Sequence, residues 1–316
     1  MRTPYLLCAA ASVLAPAALA TNAAASTPIE PLPLDAVIAA ATQTAEVPSR
    51  LELRVATDLP DMTLDGETPL ATGEVSGTSA HLVADLSPLL ADAGMPAGVD
   101  TTVELTIIDT DLYFRAPLIA SIAAMMPSMP DGENPLGPLA DIGDGWAYLD
   151  TVALATASGV DLSSMTTAAN PAQLLELLGP STKTADLGTE TIRGVATTGV
   201  RVNLDFSRLI EVTGSLVPDE SLADLGDLDD LAGMTVPIDV WVGDDGYVHR
   251  IAIEMDSAAF GDADDMTGMG DFSLAMTIDL FDLGAPDIAV EAPAEYVDIT
   301  DSLVEMMEMS TTAIEG

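Results

Sequence analysis

The stretch FSLAMTIDL, residues 272–280, decides the fold, because apolar residues alternate along it with small or polar ones. One face of the predicted strand carries only apolar side chains: Phe272, Leu274, Met276, Ile278 and Leu280. The other face carries Ser273, Ala275, Thr277 and Asp279. A period of two predicts an antiparallel strand with one covered face and one wet face.

Four further segments repeat this alternation. Their apolar residues are Leu51, Leu53 and Val55 in the first; Val103, Leu105 and Ile107 in the second; Val200, Val202 and Leu204 in the third; and Ile251, Ile253 and Met255 in the fourth. Asp244-Asp245-Gly246 predicts a hairpin turn between two of the strands, since glycine adopts a positive φ there. The pattern predicts an α+β fold in which a single curved antiparallel β-sheet wraps around short helices. The helix candidates are residues 34–45, 117–126, 171–178, 220–231 and 301–309.

The first twenty residues predict a cleaved secretory signal. Arg2 precedes an apolar run, and Ala18-Leu19-Ala20 matches the small-residue cleavage pattern. The run is shorter than the roughly 20 residues of a spanning helix, and Cys8 lies inside it, so we expect neither a permanent membrane span nor a lipid anchor. We predict a signal peptide at residues 1–20, a flexible leader at 21–33 and one domain at 34–316. The product would be secreted and soluble, outside the cytoplasm in the cell envelope.

The charge of the chain narrows its partners. Acidic side chains number 51 against nine basic ones, a formal net charge of -42, which excludes nucleic acid as a partner and argues against docking to anionic lipid headgroups. We interpret the acid excess as a solubility adaptation. Calcium binding by the Asp-rich residues 224–230 and 262–265 is the alternative, but neither run has the spacing of a calcium loop. No metal site and no cofactor are predicted.

Catalytic residue types are scarce. His81 and His249 are the two histidines, and the chain has no Gly-x-Ser-x-Gly nucleophile elbow, no paired-histidine zinc motif and no phosphate-binding glycine loop. Both histidines are interpreted as surface or structural residues, and we predict that the protein is not an enzyme. An extracellular hydrolase would need one of them in a cleft beside a carboxylate and a nucleophile.

The apolar residues point to a ligand. Residues 117–126 are apolar nearly all round, and the chain has 15 methionines, whose flexible side chains suit surfaces that repack around varied apolar partners. We predict that sheet and helices leave an apolar cavity for acyl chains, although a core filled by its own helices remains the alternative. The predicted lining residues are Leu53, Val55, Leu105, Ile107, Phe114, Leu118, Ile122, Met125, Val202, Leu204, Val240, Ile253, Leu274, Met276 and Ile278.

Several motifs carry a family resemblance. DLYF at 111–114 with GWAYLD at 145–150, NPAQLL at 170–175, LGTETIRGVATT at 187–198 and VPIDVWVGDDG at 236–246 follow one another along the chain. In order and spacing they resemble the LppX/LprA/LprF/LprG envelope lipoproteins. The resemblance spans roughly residues 34–283. The acylated cysteine of that family has no counterpart here, and Gly199-Val200 stands where the family has a tyrosine.

The resemblance implies a LolA-like half-barrel whose concave apolar face holds lipid acyl chains. It implies a secreted lipid-binding or lipid-carrier protein whose partners are lipid or lipoprotein acyl chains, with an envelope transporter as a further candidate partner. The alternative is a non-enzymatic cell-envelope interaction module with a filled core.

Overall fold

A computed structural model describes residues 32–59, 62–90, 98–125, 142–158, 184–205, 235–256 and 273–305. All of them belong to one compact unit, Pro31–Gly316. The predicted signal peptide, the predicted helices at 171–178 and 220–231 and the Asp-rich runs at 224–230 and 262–265 lie outside the described residues. The domain boundaries drawn from the sequence stay a prediction.

One 13-stranded sheet dominates the structure, in the order β13-β7-β6-β5-β4-β3-β1-β12-β11-β10-β9-β8, with β2 paired to β1. The strands are β1 (Ser49–Leu59), β2 (Met62–Asp65), β3 (Ala71–Ser76), β4 (Ser79–Asp85), β5 (Thr102–Ile108), β6 (Asp111–Arg115), β7 (Ala147–Asp150), β8 (Thr184–Ile192), β9 (Val195–Asp205), β10 (Thr235–Gly243), β11 (Val248–Asp256), β12 (Ser273–Phe281) and β13 (Val297–Asp298). All pairs are antiparallel except β13 with β7. The predicted fold class, an α+β protein built on a single antiparallel sheet, is confirmed.

The helices among the described residues are short. They are α1 (Leu34–Ala45), α2 (Ser87–Leu90), α3 (Pro117–Met125) and α4 (Thr151–Ser158), followed by a helical segment at residues 300–305. Three of the predicted helices, those starting at positions 34, 117 and 301, are therefore found where the structure describes them. The predicted turn at Asp244-Asp245-Gly246 is also found, with Gly246 at φ 84° and its N–H bonded to the Gly243 carbonyl at 2.9 Å.

The register of the sheet places the alternating apolar residues on one face, here called the inner face. Leu53 lies opposite Ile278, and Ile278 lies opposite Ile251 on the next strand. Ile251 pairs in turn with Val240. The other face, called the outer face, carries the charged partners of the same strands, such as Glu52 opposite Asp279.

Helix α1 packs against β10 and β11 and covers one end of the inner face. Val37 and Ala41 are fully buried there. The Thr44 hydroxyl accepts a hydrogen bond from the Val248 N–H at 2.8 Å and donates one to the Ala40 carbonyl at 2.7 Å. Because both Thr44 and Val248 are buried, this bond fixes the helix end on the strand without leaving a backbone donor unsatisfied.

Candidate functional site

The inner face is closely packed at one end and half-buried at the other. Along β12, Leu280 is 2% exposed and Ile278 is 8% exposed, whereas Met276 and Leu274 beyond them are half-buried. Along β1, Leu51 is buried and the next two inner-face positions, Leu53 and Val55, are half-buried, whereas Thr57 beyond them is buried again. Helix α1 lies over the packed end, since its Thr44 bonds to the start of β11.

The gradient extends across the neighbouring strands. Ile251 on β11 and Ile107 on β5 are buried at the packed end. The half-buried end, as the term is used below, consists of Leu53, Val55, Ile253, Met255, Leu274 and Met276. Leu82, Leu105 and Phe114 are also half-buried, but the register places them level with Leu51. On β9 and β10, Val202 and Ile238 remain buried at the same level of the sheet.

The predicted lining residues therefore fall into groups. Half-buried positions of the inner face hold Leu53, Val55, Leu105, Phe114, Ile253, Leu274 and Met276. Ile107, Val202, Val240 and Ile278 lie on the same face but belong to the buried core. On α3, Leu118 is buried and Ile122 is half-buried, and the helix packs on β5. Leu204 pairs with Val236, and Met125 ends α3. Their role as a lining stays a prediction.

A pocket of about 300 Å³ adjoins the half-buried end. Val55 forms one wall, and the remaining walls come from the segment that follows β1 and from α2. These other lining residues are Thr63, Leu64, Asp65, Gly66, Thr68, Leu70 and Pro88. Sequence reasoning missed them, because the alternation at residues 62–65 covers only four residues and the rest of the lining is irregular.

The outer face holds the positive charges. Every arginine of the described residues forms an ion pair: Arg50, Arg54, Arg115, Arg193, Arg201 and Arg250. Arg50 alone reaches Glu74, Asp282 and Asp287, at 2.8–3.0 Å. Each of these partners is a carboxylate, so the described guanidinium groups are all engaged within the protein.

Asp279 lies at the centre of this outer face and is 3% exposed. Its two carboxylate oxygens accept hydrogen bonds from the guanidinium groups of Arg250, at 2.6 and 3.2 Å, and Arg54, at 3.0 Å. Desolvation by burial alone would raise the pKa of Asp279, but the hydrogen bonds and charge of these two arginines outweigh it and hold the pKa below the usual 3.8. The carboxylate is therefore ionised at neutral pH.

Neither histidine forms a triad with a carboxylate and a nucleophile in the part of the chain that the structure describes. The His81 Nδ1 atom lies 2.9 Å from the Thr106 hydroxyl. His249 is 5% exposed, and its Nε2 atom lies 3.1 Å from both carboxylate oxygens of Asp245. The first contact lacks a carboxylate and the second lacks a hydroxyl or thiol, so neither supplies the arrangement that nucleophilic hydrolysis needs.

Aromatic residues cluster near the β13 edge. The rings of Tyr113, Tyr148 and Tyr296 lie 5.2–5.4 Å apart, centroid to centroid. The Tyr148 hydroxyl donates a hydrogen bond to Asp111 at 2.9 Å, and burial together with this bond raises the pKa of Tyr148. Tyr148 therefore stays protonated over the physiological range and remains a donor.

Trp241 explains the departure from the family pattern at position 199. A Cβ atom on Gly199 would lie 2.8 Å from the Trp241 Nε1 atom, closer than real Cβ contacts come. The indole packs over the glycine backbone on the outer face, where Gly199 pairs with Trp241. A tyrosine at position 199 would therefore require the indole to move.

The described residues offer neither a metal-binding cluster nor a membrane-spanning helix. They contain no group of three or more His, Cys, Asp or Glu side chains arranged to hold a metal ion. Within the same ranges no helix has the length and hydrophobicity needed to cross a membrane.

Comparison with known proteins finds no matching protein-family model and no matching curated protein. Among solved structures, the chain is similar to the Mycobacterium tuberculosis lipoprotein LppX, at 15% identity and a TM-score of 0.42, over 82% of this chain and 97% of that one. It is also similar to LprF from Mycobacterium bovis, at 15% identity and a TM-score of 0.38, over 83% of this chain and 97% of that one.

A LolA superfamily protein from Nitrosomonas europaea matches more weakly, at 10% identity and a TM-score of 0.23, over 80% of this chain and 93% of that one. LppX and LprF are two of the lipoproteins whose motifs the sequence resembles.

Proposed function

We propose that this chain is a non-catalytic, extracytoplasmic lipid-binding protein that holds acyl chains against the half-buried end of its inner face. The observation that carries the proposal is the exposure gradient along β12 and β11. The core cluster seals one end, whereas apolar side chains at the other end keep part of their surface in contact with solvent. Such a surface gains free energy when an apolar ligand covers it.

The half-buried end is continuous enough for a chain of methylene groups. Val55 faces Met276, Met276 faces Ile253, and the row continues without a polar interruption to Ile238 on β10. Each methylene buried along such a row contributes about 0.8 kcal/mol. Two of the half-buried side chains, Met255 and Met276, are methionines, whose flexible thioethers adapt to ligands of different shape.

The charge distribution supports an alkyl ligand. The described arginines form ion pairs with carboxylates, and many of these pairs lie on the outer face. The row of inner-face residues from Val55 to Ile238 is apolar. Binding would therefore rest on apolar burial, with no charged contact to the alkyl part. The pocket beside Val55 would extend the site, and its volume of about 300 Å³ is at the lower end of the range for ligand pockets.

The absence of catalysis and the place of action are part of the same proposal. The separate contacts of His81 and His249 give no reason to assign a hydrolytic reaction. Residues 1–20 would direct export, so the protein would meet its ligand in the cell envelope, where an envelope transporter could deliver or receive the lipid.

The first experiment is native mass spectrometry of protein purified from its own host. We expect adducts whose masses correspond to acyl lipids and which organic extraction removes. Repeated spectra of the apoprotein alone, together with no saturable binding of a fluorescent fatty acid, would contradict the proposal. That outcome would favour the alternative, an interaction module with a filled core.

A pair of variants localises the site. Met276→Trp fills the half-buried end of the inner face, and Thr277→Trp adds the same side chain one residue later, on the outer face. Both positions are half-buried, so they are matched in burial. We expect Met276→Trp to weaken binding of the fluorescent fatty acid by about tenfold, and Thr277→Trp to change it by less than about twofold. Equal effects would place the ligand elsewhere.

A further inference from the structure

The two edge strands of the sheet, β8 and β13, differ in how well their exposed backbone is protected, and the proposed lipid binding does not involve this difference. Edge strands expose unpaired backbone groups, and natural proteins protect them with bulges and charges. Strand β8 shows both devices: its register shifts between Asp186 and Gly188, and the Asp186 carboxylate accepts the Gly188 N–H at 2.8 Å. Strand β13, at the other edge, pairs with β7 without a register shift.

The β13 edge also exposes apolar surface. Tyr296 is 49% exposed, Val297 is 52% exposed, and Val152 at the start of α4 is 55% exposed. Among the described residues, the only other large apolar side chain with comparable exposure is Leu187 on β8. The Tyr296 ring is held by Tyr113 and Tyr148, so it presents a fixed aromatic surface, as the anchor residues of protein interfaces do.

The backbone of this edge can accept another strand. The N–H groups of Val297 and Ile299 bond to the carbonyl groups of Trp146 and Tyr148, at 2.8 and 3.1 Å. Successive N–H groups of a strand point to opposite sides, so the Asp298 N–H between them points away from β7. A segment lying along this side would find a backbone donor next to two exposed side chains.

The negative charge around the β13 edge favours a basic partner. Glu291, Glu295, Asp298 and Asp301 are all exposed near this edge. The chain has no lysine or arginine at residues 116–182 or 251–316, which include β7, α4 and β13. A second copy of the chain would bring another net charge of -42 to the same place, and the repulsion disfavours it.

We propose that the β13 edge is a docking site for an extended, basic segment of a partner protein, which adds to the sheet as a further strand. Main-chain hydrogen bonds beyond Asp298 would supply affinity. Alternate side chains would supply selectivity, as in other cases of strand addition, with apolar ones on the face of Val297 and basic ones on the opposite face, beside Asp298.

The probe is a capped synthetic peptide of alternating lysine and valine, tested with the full chain at physiological ionic strength. We expect saturable binding and slower hydrogen exchange of the Asp298 amide. The control peptide is N-methylated at every residue, which keeps the charge and removes the backbone donors of both edges, and it should give no protection of that amide. Equal protection by both peptides, or none by either, would overturn the proposal.

Matched variants separate docking from general attraction to an acidic protein. Val297→Lys and Leu187→Lys make the same charge change at opposite edges, and both positions are exposed. Val297→Lys should weaken peptide binding by about tenfold and Leu187→Lys by less than about twofold. Equal weakening would overturn the proposal. A concentration-dependent dimer in sedimentation that Val297→Lys abolishes would also overturn it, because a second copy would then be the occupant.

Discussion

The two faces of β12 show how one strand serves two kinds of chemistry. On the outer face, Asp279 is buried among guanidinium groups, whereas its neighbour Leu280 on the inner face is buried among apolar side chains. The ion pairs of Asp279 depend on its ionisation and on hydrogen-bond geometry, whereas the packing of Leu280 depends on the removal of its apolar surface from water. In a protein with so few bases, placing several arginines on one sheet face compensates carboxylates where burial would otherwise be most costly.

The largest effect should come from the outer face. Asp279→Ala leaves Arg54 and Arg250 without their shared carboxylate, and breaking a buried pair in this way costs about 4 kcal/mol. Urea denaturation measures the loss. Thr277→Ala, on the same face and in no ion pair, is the control and should cost less than about 1 kcal/mol. A loss below 1 kcal/mol for Asp279→Ala would show that the ion pairs with Glu52 and Glu190, which Arg54 and Arg250 already form, are enough to hold the two arginines.

Substitutions along the inner face should lower the free energy of unfolding more at the packed end than at the half-buried end. Leu280→Ala, at the packed end, should lower the free energy of unfolding by about 3 kcal/mol, because it leaves a cavity in the buried core. Met276→Ala, on the same strand and face, should cost about 1 kcal/mol without ligand, since the site is only half-buried. Denaturation of both variants after organic extraction of lipid tests this, and equal losses would remove the distinction between the two ends.

A smaller effect is expected where α1 meets the sheet. Thr44→Val keeps the shape of the side chain but removes the hydroxyl that accepts the Val248 N–H, which leaves a buried donor unsatisfied at a cost of about 1.5 kcal/mol. Thr42→Val on the exposed side of the same helix loses only a bond to the Ile38 carbonyl, and should be nearly neutral. The two melting curves would coincide if water replaced the Thr44 hydroxyl.

The last contrast between the faces concerns pH. The pKa of Asp279 lies below 3.8 in the folded protein, so the unfolded chain binds its proton first and the ion pair stabilises the fold at higher pH. This stabilisation is fully present above the unfolded pKa and is lost as pH falls through the folded pKa. The cost of Asp279→Ala should therefore shrink below about pH 4, whereas the cost of Leu280→Ala should stay constant. Parallel pH profiles for the two variants would contradict this.

Much of the fold could be predicted from the sequence, because the alternation of apolar and polar residues shows which side chains share one face of a strand. The residues from Leu51 to Val55 and from Leu274 to Leu280 alternate strictly, and the register places them side by side. Strand order was not readable, since nothing local indicates that β1 lies between β3 and β12. The last strand was missed because β13 is two residues long and shows no period.

The candidate site was predictable only in part. Alternation identified which side chains share the inner face, but burial along a strand depends on where α1 ends and what lies above it. Val240 and Met276 have the same pattern in the sequence, yet one is fully buried and the other half-buried. The ion pairs were unpredictable for a related reason, because Arg54 and Asp279 are 225 positions apart in the chain.

The pairing of β1 with β12 also sets the order in which the protein can be completed. β1 ends at Leu59, and its neighbour in the sheet begins at Ser273, so that edge of β1 stays unpaired until the chain has been synthesised as far as β12. Contacts so distant in sequence make folding slow. Strand β1 therefore depends on a partner strand that is synthesised much later. Chaperones that shield β1 until then would determine what fraction of the protein reaches the native state.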